Sequence, residues 1–414
     1  MTNIQPAFAC RSCGGTGGQT VIDLGQQPLA NAFVSPSAVD RVDAQHPLHA
    51  RVCMTCLLVQ VDDVVSAEEI FATYAYFSSY SSSWVDHARR FAHDAIERVG
   101  LGIDSQVVEI ASNDGYLLKH FIERGIPVRG VDPATNVVEI ARQNGVPTEC
   151  EFFGLDTARR LVEEGHAADL IVANNVLAHV PDLHDFVAGV KTLLKPGGVL
   201  AVEFQHVLRL IELCAFDTIY HEHYCYFSLF VVRNILARAG LRVFDVEQLA
   251  THGGSLRVWA GHDDDRQHRP QASVDTVHAL EADAGLLTLG GYAGFDSRAQ
   301  KARLALRSFL SNAKKAQQSV VAYGAAAKGN TLLNYCGVDS SLVRFVVDRN
   351  PHKQHLSLPG SRLEVRPVED LVDARPDYVL ILPWNLRDEI VDSLPQVAAW
   401  GGRFVVPIPT TVVS

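Results

Sequence analysis

The sequence lacks three features that would each have pointed to a particular class of protein. It has no run of about 18 apolar residues, so we expect no membrane-spanning helix. It does not begin with a basic segment followed by an apolar one, so we expect a reducing, cytoplasmic setting. Basic residues are in deficit, because 36 Lys and Arg against 47 Asp and Glu give a net charge of −11. That balance argues against a nucleic-acid partner, since phosphate binding needs a basic surface.

Four of the eight cysteines have a paired spacing. Cys10 and Cys13 form one CxxC, and Cys53 and Cys56 form another. Each CxxC turn supplies two thiolates to one ion, and two turns complete a tetrahedron. We therefore predict a structural zinc site, although the gap between the pairs is longer than in the usual zinc ribbon. The alternatives are reduced thiols or a redox pair, and a redox pair would need a thioredoxin-like unit that the sequence does not show.

Length and pattern together predict three domains. At 414 residues the chain is too long for one core. From residue 105 the pattern is apolar strand, turn and helix, repeated, and the same pattern resumes near residue 319. Such alternation indicates a parallel sheet with helices on both faces. We expect an α/β protein: a zinc-binding module over 1–75, a doubly wound Rossmann-like domain over 76–262 that includes the HEH segment, and a second Rossmann-like domain with a helical lead-in over 263–414.

The alternating pattern of the middle domain begins with a strand and the turn EIASNDGYLL. A dinucleotide fold would place GxGxxG here, so that backbone can approach a diphosphate, but this turn has the single glycine Gly115. Its polar side chains suit the amino-acid end of S-adenosylmethionine. Asp132, at the next strand end, could hold ribose hydroxyls or merely cap a helix. Because ligands sit at the carboxyl ends of such strands, the predicted cofactor residues are Glu109, Ala111, Asn113, Gly115, Tyr116, Asp132, Pro133, Asn174 and Asn175.

The segment FDTIYHEHYCYFS, residues 216–228, places two histidines, two acidic residues and several aromatic rings together. On the sequence alone it could be a metal site, an acid–base centre or a buried polar cluster. The metal reading is disfavoured, because the histidines lack the HExxH spacing that puts two ligands on one helix face.

Several long and unusual motifs establish a resemblance over nearly the whole chain. They are the paired CxxC module, YAYFSSYSSSW, EIASNDGYLL, GVDPATN, NNVLAHVPD, FDTIYHEHYCYFS, HGGSLRV, YGAAAKGNTLLN and DRNPHKQ. In these motifs the chain resembles the sugar C-methyltransferases that act on nucleotide-linked deoxysugars in antibiotic biosynthesis. The resemblance implies that the middle domain holds S-adenosylmethionine and that the third domain helps to hold the sugar substrate. It implies C-methylation of a thymidine-diphosphate-linked 4-keto-deoxysugar, with carbon 3 favoured over carbon 5.

The resemblance also implies roles for individual residues. A ketone makes its neighbouring carbon acidic, so the enzyme needs a base near that carbon and donors for the enolate oxygen. The last histidine of the triplet, His223, matches the family's base, with Glu222 orienting or assisting it. The other expected catalytic residues are Tyr220, His179 and Tyr74. The expected substrate contacts are Tyr76, His252, Tyr323, Lys328, Asn330, Arg349 and Lys353.

Two other functions stay open at this point. A NAD-dependent oxidoreductase could use one of the two alternating units, and a zinc-module adaptor could bind RNA, which the charge disfavours. Structural readings also remain, because His179 could be an interior polar group and YGAAAKGN a plain turn. We expect a small-molecule substrate, no nucleic-acid or membrane partner, and a monomer or weak homo-oligomer.

Overall fold

The structure is a computed structural model, and it describes residues 8–38, 42–62, 65–66, 70, 77–80 and 82–414. The strands in these ranges are β1 (Gly18–Gln27), β2 (His46–Cys53), β3 (Val59–Val61), β4 (Val107–Ile110), β5 (Val128–Val131), β6 (Thr148–Glu149), β7 (Ala168–Asn174), β8 (Leu194–Gln205), β9 (Cys225–Tyr226), β10 (Leu241–Leu249), β11 (Ser255–His262), β12 (Val320–Tyr323), β13 (Val346–Val347), β14 (Val365–Arg366), β15 (Tyr378–Ile381), β16 (Arg403–Val406) and β17 (Val412–Val413).

The α-helices in the same ranges are α1 (Ser82–Val99), α2 (Leu118–Ile122), α3 (Thr135–Gln143), α4 (Leu155–Glu163), α5 (Leu183–Leu193), α6 (Val207–Glu212), α7 (Leu229–Arg238), α8 (Ala272–Asp283), α9 (Phe295–Lys315), α10 (Ala327–Tyr335), α11 (Glu369–Ala374), α12 (Arg387–Ser393) and α13 (Gln396–Ala399). In the part of the chain that is described, none of them is long and apolar enough to cross a bilayer.

The first sheet has the order β1-β2-β3-β9, and its pairs are all antiparallel. The strands β2 and β3 form a hairpin, and Cys53 ends β2 just before the turn. β9 comes from much later in the chain, with Val59 opposite Tyr226 and Gln60 opposite Cys225. The residues that follow the HEH triplet thus complete the amino-terminal sheet, whereas the sequence pattern placed them with the middle domain.

The middle sheet has the order β10-β11-β8-β7-β4-β5-β6. Its strands β4 to β8 pair in parallel, which confirms the parallel sheet predicted from the alternation of apolar strands and helices. The strand β4 is buried along its whole length. The prediction of a parallel sheet was incomplete, because β11 runs antiparallel to β8, and β10 runs antiparallel to β11. Gly253 and Gly254, at φ of 88° and 126°, make the short reversal that only an antiparallel pair can use.

The third sheet has the order β14-β13-β12-β15-β16-β17 and is parallel except for β17. The predicted helical lead-in is present as α8 and α9. One continuous buried apolar cluster includes Ile22 and Leu58 of the first module, Phe204 of the second domain and Leu332 of the third. The three sheets are therefore packed on one another, so that side chains from all of them can face a shared cavity.

The crossing of α4 and α5 gives a stability prediction. A Cβ added at Gly189 would lie 2.7 Å from the backbone oxygen of Gly154. Backbone cannot move aside cheaply, so we expect Gly189→Ala to lower the free energy of unfolding by about 1–3 kcal/mol, despite the better helix propensity of alanine. Urea unfolding followed by circular dichroism measures this change.

The matched control is Gly102→Ala, because a Cβ at Gly102 would meet nothing within 4 Å. We expect this control to change the free energy of unfolding by no more than about 0.5 kcal/mol. Equal unfolding midpoints for the two variants would contradict the close helix crossing.

Candidate active site

The four predicted zinc ligands converge in the first module. Their sulfur atoms all lie within 4.8 Å of one another, with Cys10 Sγ 3.4 Å from Cys56 Sγ and Cys13 Sγ 3.5 Å from Cys53 Sγ. A tetrahedral zinc with Zn–S bonds of about 2.3 Å needs sulfurs about 3.8 Å apart. Backbone N–H groups of Gly15 and Thr55 donate to Cys13 Sγ and Cys53 Sγ, each at 3.4 Å, as thiolates require. The donor set fits a closed, structural zinc site.

A cavity of about 380 Å³ lies at the carboxyl ends of β4, β5, β7 and β8. Its wall is built from all three parts of the chain, for example Asn31 of the first module, His223 of the second domain and Lys328 of the third. The volume lies in the range of ligand-binding pockets. The position agrees with the rule that ligands of α/β sheets bind beyond the strand ends.

Most of the predicted cofactor residues line one end of this cavity. They are Ala111, Asn113, Tyr116, Asp132, Pro133, Asn174 and Asn175. Two other predicted residues, Glu109 and Gly115, are not on the wall. Burial raises the pKa of Glu109 well above its ordinary value. Gly115 has φ of 81°, and a Cβ there would lie 2.7 Å from Val146 Cγ2, so its role is in the turn itself.

Asp132 organises the turn of the cofactor end. Its Oδ2 accepts from Asn113 N at 3.0 Å and its Oδ1 from Ala134 N at 2.9 Å. Burial raises the pKa of Asp132 to about 6, against the lowering effect of these two amides. The cavity-lining residues Asn174 and Asn175 each leave a buried polar atom, Oδ1 and Nδ2, without a hydrogen-bond partner among the described residues. A ligand with donors and acceptors would satisfy both atoms, so the site fits a polar cofactor such as S-adenosylmethionine.

His223 lies on the cavity wall with both ring nitrogens engaged. Its Nδ1 is 3.0 Å from the backbone oxygen of Thr218, which can only accept, so Nδ1 carries the proton. Its Nε2 then accepts from the Tyr220 hydroxyl at 2.8 Å. Burial lowers the pKa of His223 well below its ordinary value, and His179 lowers it further. The imidazole is therefore neutral at pH 7, with its lone pair on the side of Tyr220.

His179 also lines the cavity, and its ring centre lies 4.7 Å from that of His223. Its Nδ1 donates to the backbone oxygen of Glu222 at 2.7 Å, and burial lowers its pKa to about 4. The Glu222 carboxylate accepts from Asn31 Nδ2 at 2.6 Å, and burial raises its pKa to about 7. The hydrogen bonds of Glu222 thus lead to Asn31 and His179, whereas the sequence reading had paired it with His223.

The third domain contributes Lys328 and Lys353 to the wall, together with Ala326 and Ala327 at the start of α10. Lys353 Nζ donates to the backbone oxygen of Ala325 at 3.0 Å. Burial lowers the pKa of both lysines.

The third predicted substrate residue on the wall is His252, whose ring centre is 5.3 Å from that of Trp84. Three others lie away from the cavity lining of the described chain. Tyr323 packs in the core of the third domain, Asn330 is fully buried beside Asn334, and Arg349 is exposed. Tyr74 and Tyr76 lie outside the described residues.

Several residues of the cavity wall were not predicted from the sequence. Asn31, Ser78, Trp84 and Phe152 all line the cavity. Ser78 sits there because its backbone N–H donates to Asn113 Oδ1 at 2.9 Å. Its place in the YAYFSSYSSSW motif was a usable signal. Asn31 and Phe152 fall in stretches without a recognisable pattern, so only the fold could bring them to the site.

Comparison with known proteins gives family matches along most of the chain. Residues 10–71 match a model described as "Putative zinc binding domain", residues 84–246 match "Methyltransferase domain", and residues 250–409 match "C-methyltransferase C-terminal domain". The C-methyltransferase NovU of Streptomyces niveus is 34% identical over 98% of this chain and 96% of its own length.

More distant similarities are confined to part of the chain. A ubiquinone biosynthesis O-methyltransferase of Bartonella bacilliformis is 27% identical over 23% of this chain and 40% of its own length. The magnesium protoporphyrin IX methyltransferase of Synechocystis, solved with bound SAH, is 18% identical over 42% of this chain and 82% of its own, with a TM-score of 0.34.

The zinc site gives the first prediction for this region. Cys56→Ser removes one ligand, and we expect the purified protein to lose its metal and to unfold at a lower temperature, because zinc-binding energy is folding energy. The cavity's cofactor end belongs to the middle sheet, so affinity for S-adenosylmethionine should stay within about threefold. Metal analysis, thermal unfolding and calorimetric titration measure the three quantities.

Cys150→Ser is the matched control, since Cys150 is exposed and outside the cluster. It should keep both metal and melting temperature. If Cys56→Ser kept them too, the four-sulfur site would be wrong.

Asp132 gives a pH prediction. With its pKa raised to about 6, the carboxylate is ionised above that pH and protonated below it. If Asp132 accepts hydrogen bonds from the ribose hydroxyls, as the sequence predicts, its protonated form will accept them poorly. The affinity for S-adenosylhomocysteine should then be constant near pH 8. It should fall about tenfold per pH unit below pH 6. Titrations between pH 5 and 8 measure this slope.

Asp132→Asn should bind more weakly at pH 8 and lose the slope. Asp348 follows strand β13 of the third domain, as Asp132 follows β5, but it does not line the cavity, so Asp348→Asn should keep the slope. A slope that persists in Asp132→Asn would show that another group titrates.

Proposed function

The chain belongs to the C-methyltransferase family and depends on S-adenosylmethionine, and from this premise we propose that it methylates carbon 3 of a thymidine-diphosphate-linked 4-keto-deoxysugar. The observation that carries the proposal is the shared cavity. A polar cofactor end, a pair of neutral histidines and two lysines of the third domain face the same space. A transferase for an anionic sugar nucleotide needs these three elements together.

The third domain is proposed to hold the diphosphate. The amino end of α10 presents Ala326 and Ala327 to the cavity, and a helix of this length carries partial positive charge at that end. Lys328 adds its amino group beside it, and although burial lowers the pKa of Lys328, an anionic diphosphate would favour the charged form. This arrangement would place the sugar between the third domain and the histidines. Because Lys353 also lines the wall, we count it among the substrate contacts.

His223 is proposed as the base. The carbon beside the ketone loses its proton to Nε2, which is the unprotonated nitrogen, and the electron pair of the broken C–H bond moves toward the ketone oxygen. Substrate entry has to break the Tyr220–His223 hydrogen bond, and the released Tyr220 hydroxyl can donate to the developing enolate oxygen. His179 is the neighbouring sugar contact. S-adenosylmethionine, when bound, supplies the electrophilic methyl group.

The low pKa of His223 has two opposite effects on its proposed role as a base. It keeps the imidazole neutral and ready to accept at pH 7, but it also makes the imidazole a weaker base. The anionic diphosphate and the developing enolate would both favour the protonated form once substrate is bound. Because the base is weak, the ketone must make the C–H group beside it acidic enough to lose its proton.

The prediction is that His223→Gln lowers methyl transfer and hydrogen exchange at carbon 3 by about 10²–10⁴-fold, the usual contribution of a positioned base. Affinity for S-adenosylmethionine should be unchanged. Exchange is followed by NMR in deuterated water, with a panel of thymidine-diphosphate 4-keto sugars. Product mass and NMR give the number and position of the added methyl groups.

The matched control is His221→Gln in the same triplet. The His221 Nε2 lies 3.2 Å from the backbone oxygen of Pro47, outside the cavity wall, and a glutamine amide can replace this donor. Full exchange by His223→Gln would refute the base assignment. A methyl group on carbon 5 would refute the position, and failure to use any of these sugars would refute the substrate class.

A further inference from the structure

Trp384 of the third domain reaches across the domain boundary to the segment that precedes His223. Its Nε1–H donates to Asp217 Oδ2 at 2.7 Å. Asp217 is fully buried, and Trp384 is only 8% exposed. A buried carboxylate is stable only with hydrogen-bond donors, so this contact fixes the position of the Asp217 side chain.

Asp217 lies in a short turn whose last carbonyl group is hydrogen-bonded to the proposed base, His223. Residues Phe216–Thr218 form one turn of 3₁₀ helix, and the next residue's carbonyl, Thr218 O, accepts from His223 Nδ1 at 3.0 Å. That carbonyl is the group that holds the proton on Nδ1 and leaves Nε2 to accept. A shift of the turn would therefore change both the orientation and the tautomer of the imidazole.

The opposite side of the same indole meets the substrate end of the cavity. Lys328 Nζ lies 5.1 Å from the Trp384 ring centre and donates to Asn385 Oδ1. Gly253, next to His252, packs on the ring so closely that a Cβ there would be 2.9 Å from Cη2. The indole is thus in contact with Lys328, with the backbone that carries His252, and with Asp217.

We propose that Trp384 and Asp217 are positioning residues for His223. The third domain, through the Trp384–Asp217 hydrogen bond, fixes the carbonyl that keeps His223 in its proton-accepting tautomer. The base is then competent only while the third domain is docked with its tryptophan in place. The catalytic part of this inference rests on the proposed function, but the state of the His223 ring can be observed without any sugar.

The test compares Trp384→Phe with Trp400→Phe. Both substitutions keep an aromatic ring and remove an indole donor in the same domain, but Trp400 Nε1 donates to the backbone oxygen of Pro376 at 3.0 Å, away from the cavity. We expect Trp384→Phe to lower hydrogen exchange at the sugar carbon at least about tenfold, roughly the loss of one buried hydrogen bond to a charged group. Affinity for S-adenosylmethionine should not change, and Trp400→Phe should match the wild type.

The sugar-independent readout is NMR of protein labelled with ¹⁵N in its histidine rings. The His223 signals are identified by their absence from His223→Gln. In Trp384→Phe they should move toward a mixture of tautomers, whereas in Trp400→Phe they should stay in place. If the His223 signals of the two tryptophan variants coincide with the wild type, the positioning role is overturned.

Asp217 provides a second, independent pair of variants. Asp217→Asn keeps an oxygen that can accept from Trp384 and should retain exchange within about threefold, whereas Asp217→Ser is too short to reach and should behave like Trp384→Phe. Equal exchange rates for the two Asp217 variants would also overturn the proposal. If the wild type exchanges no sugar proton, the proposed function fails, and the histidine spectra still decide the positioning role.

Discussion

Two short backbone registers, Val59 with Tyr226 and Gln60 with Cys225, join the zinc hairpin to the segment that carries His223. In the same hairpin Cys53 ends the first strand, β2. The Gln60 side chain of the second strand accepts from Arg11 N and donates to Ala9 O beside the first CxxC turn, both at 2.9 Å. The metal site therefore does more than stabilise a separate module. It holds the strand edge with which Cys225 and Tyr226 pair, so the position of the proposed base, His223, depends on a strand more than 150 residues away in the chain.

This arrangement also explains why the site's titratable groups are so far from their ordinary pKa values. Where three modules meet, their shared wall is withdrawn from water, which lowers the pKa of His179 and His252 to about 4 and raises that of Glu222 to about 7. Neutral imidazoles suit a reaction that develops negative charge on a substrate oxygen, because fixed dipoles in a dry cavity stabilise that charge more strongly than water-screened ones. The packing of the three domains therefore sets the protonation states of these side chains.

The sequence allowed the zinc ligands, the two α/β units and the cofactor strand ends to be predicted, since each depends on local spacing or on apolar alternation. It allowed His223 and His179 to be proposed because they lie within distinctive motifs. The partner of Glu222 was missed, because Asn31 is 191 residues away and no local pattern marks it. The antiparallel β10–β11 pair was missed for a related reason: it depends on the reversal at Gly253 and Gly254, whose consequence appears only in the sheet.

The two α/β units share one structural feature, an aspartate after the second strand that holds the turns around it. After the second strand of each unit an aspartate binds two backbone amides: Asp132 binds those of Asn113 and Ala134, and Asp348 binds those of Ala325 and Asn350. An acid at this position is therefore required by the turn whether or not a ribose is bound. A carboxylate has about four acceptor sites, so Asp132, which faces the cavity, can serve both purposes. Asp348 is the same residue type but does not line the cavity. Its place in the fold therefore limits it to holding the turn.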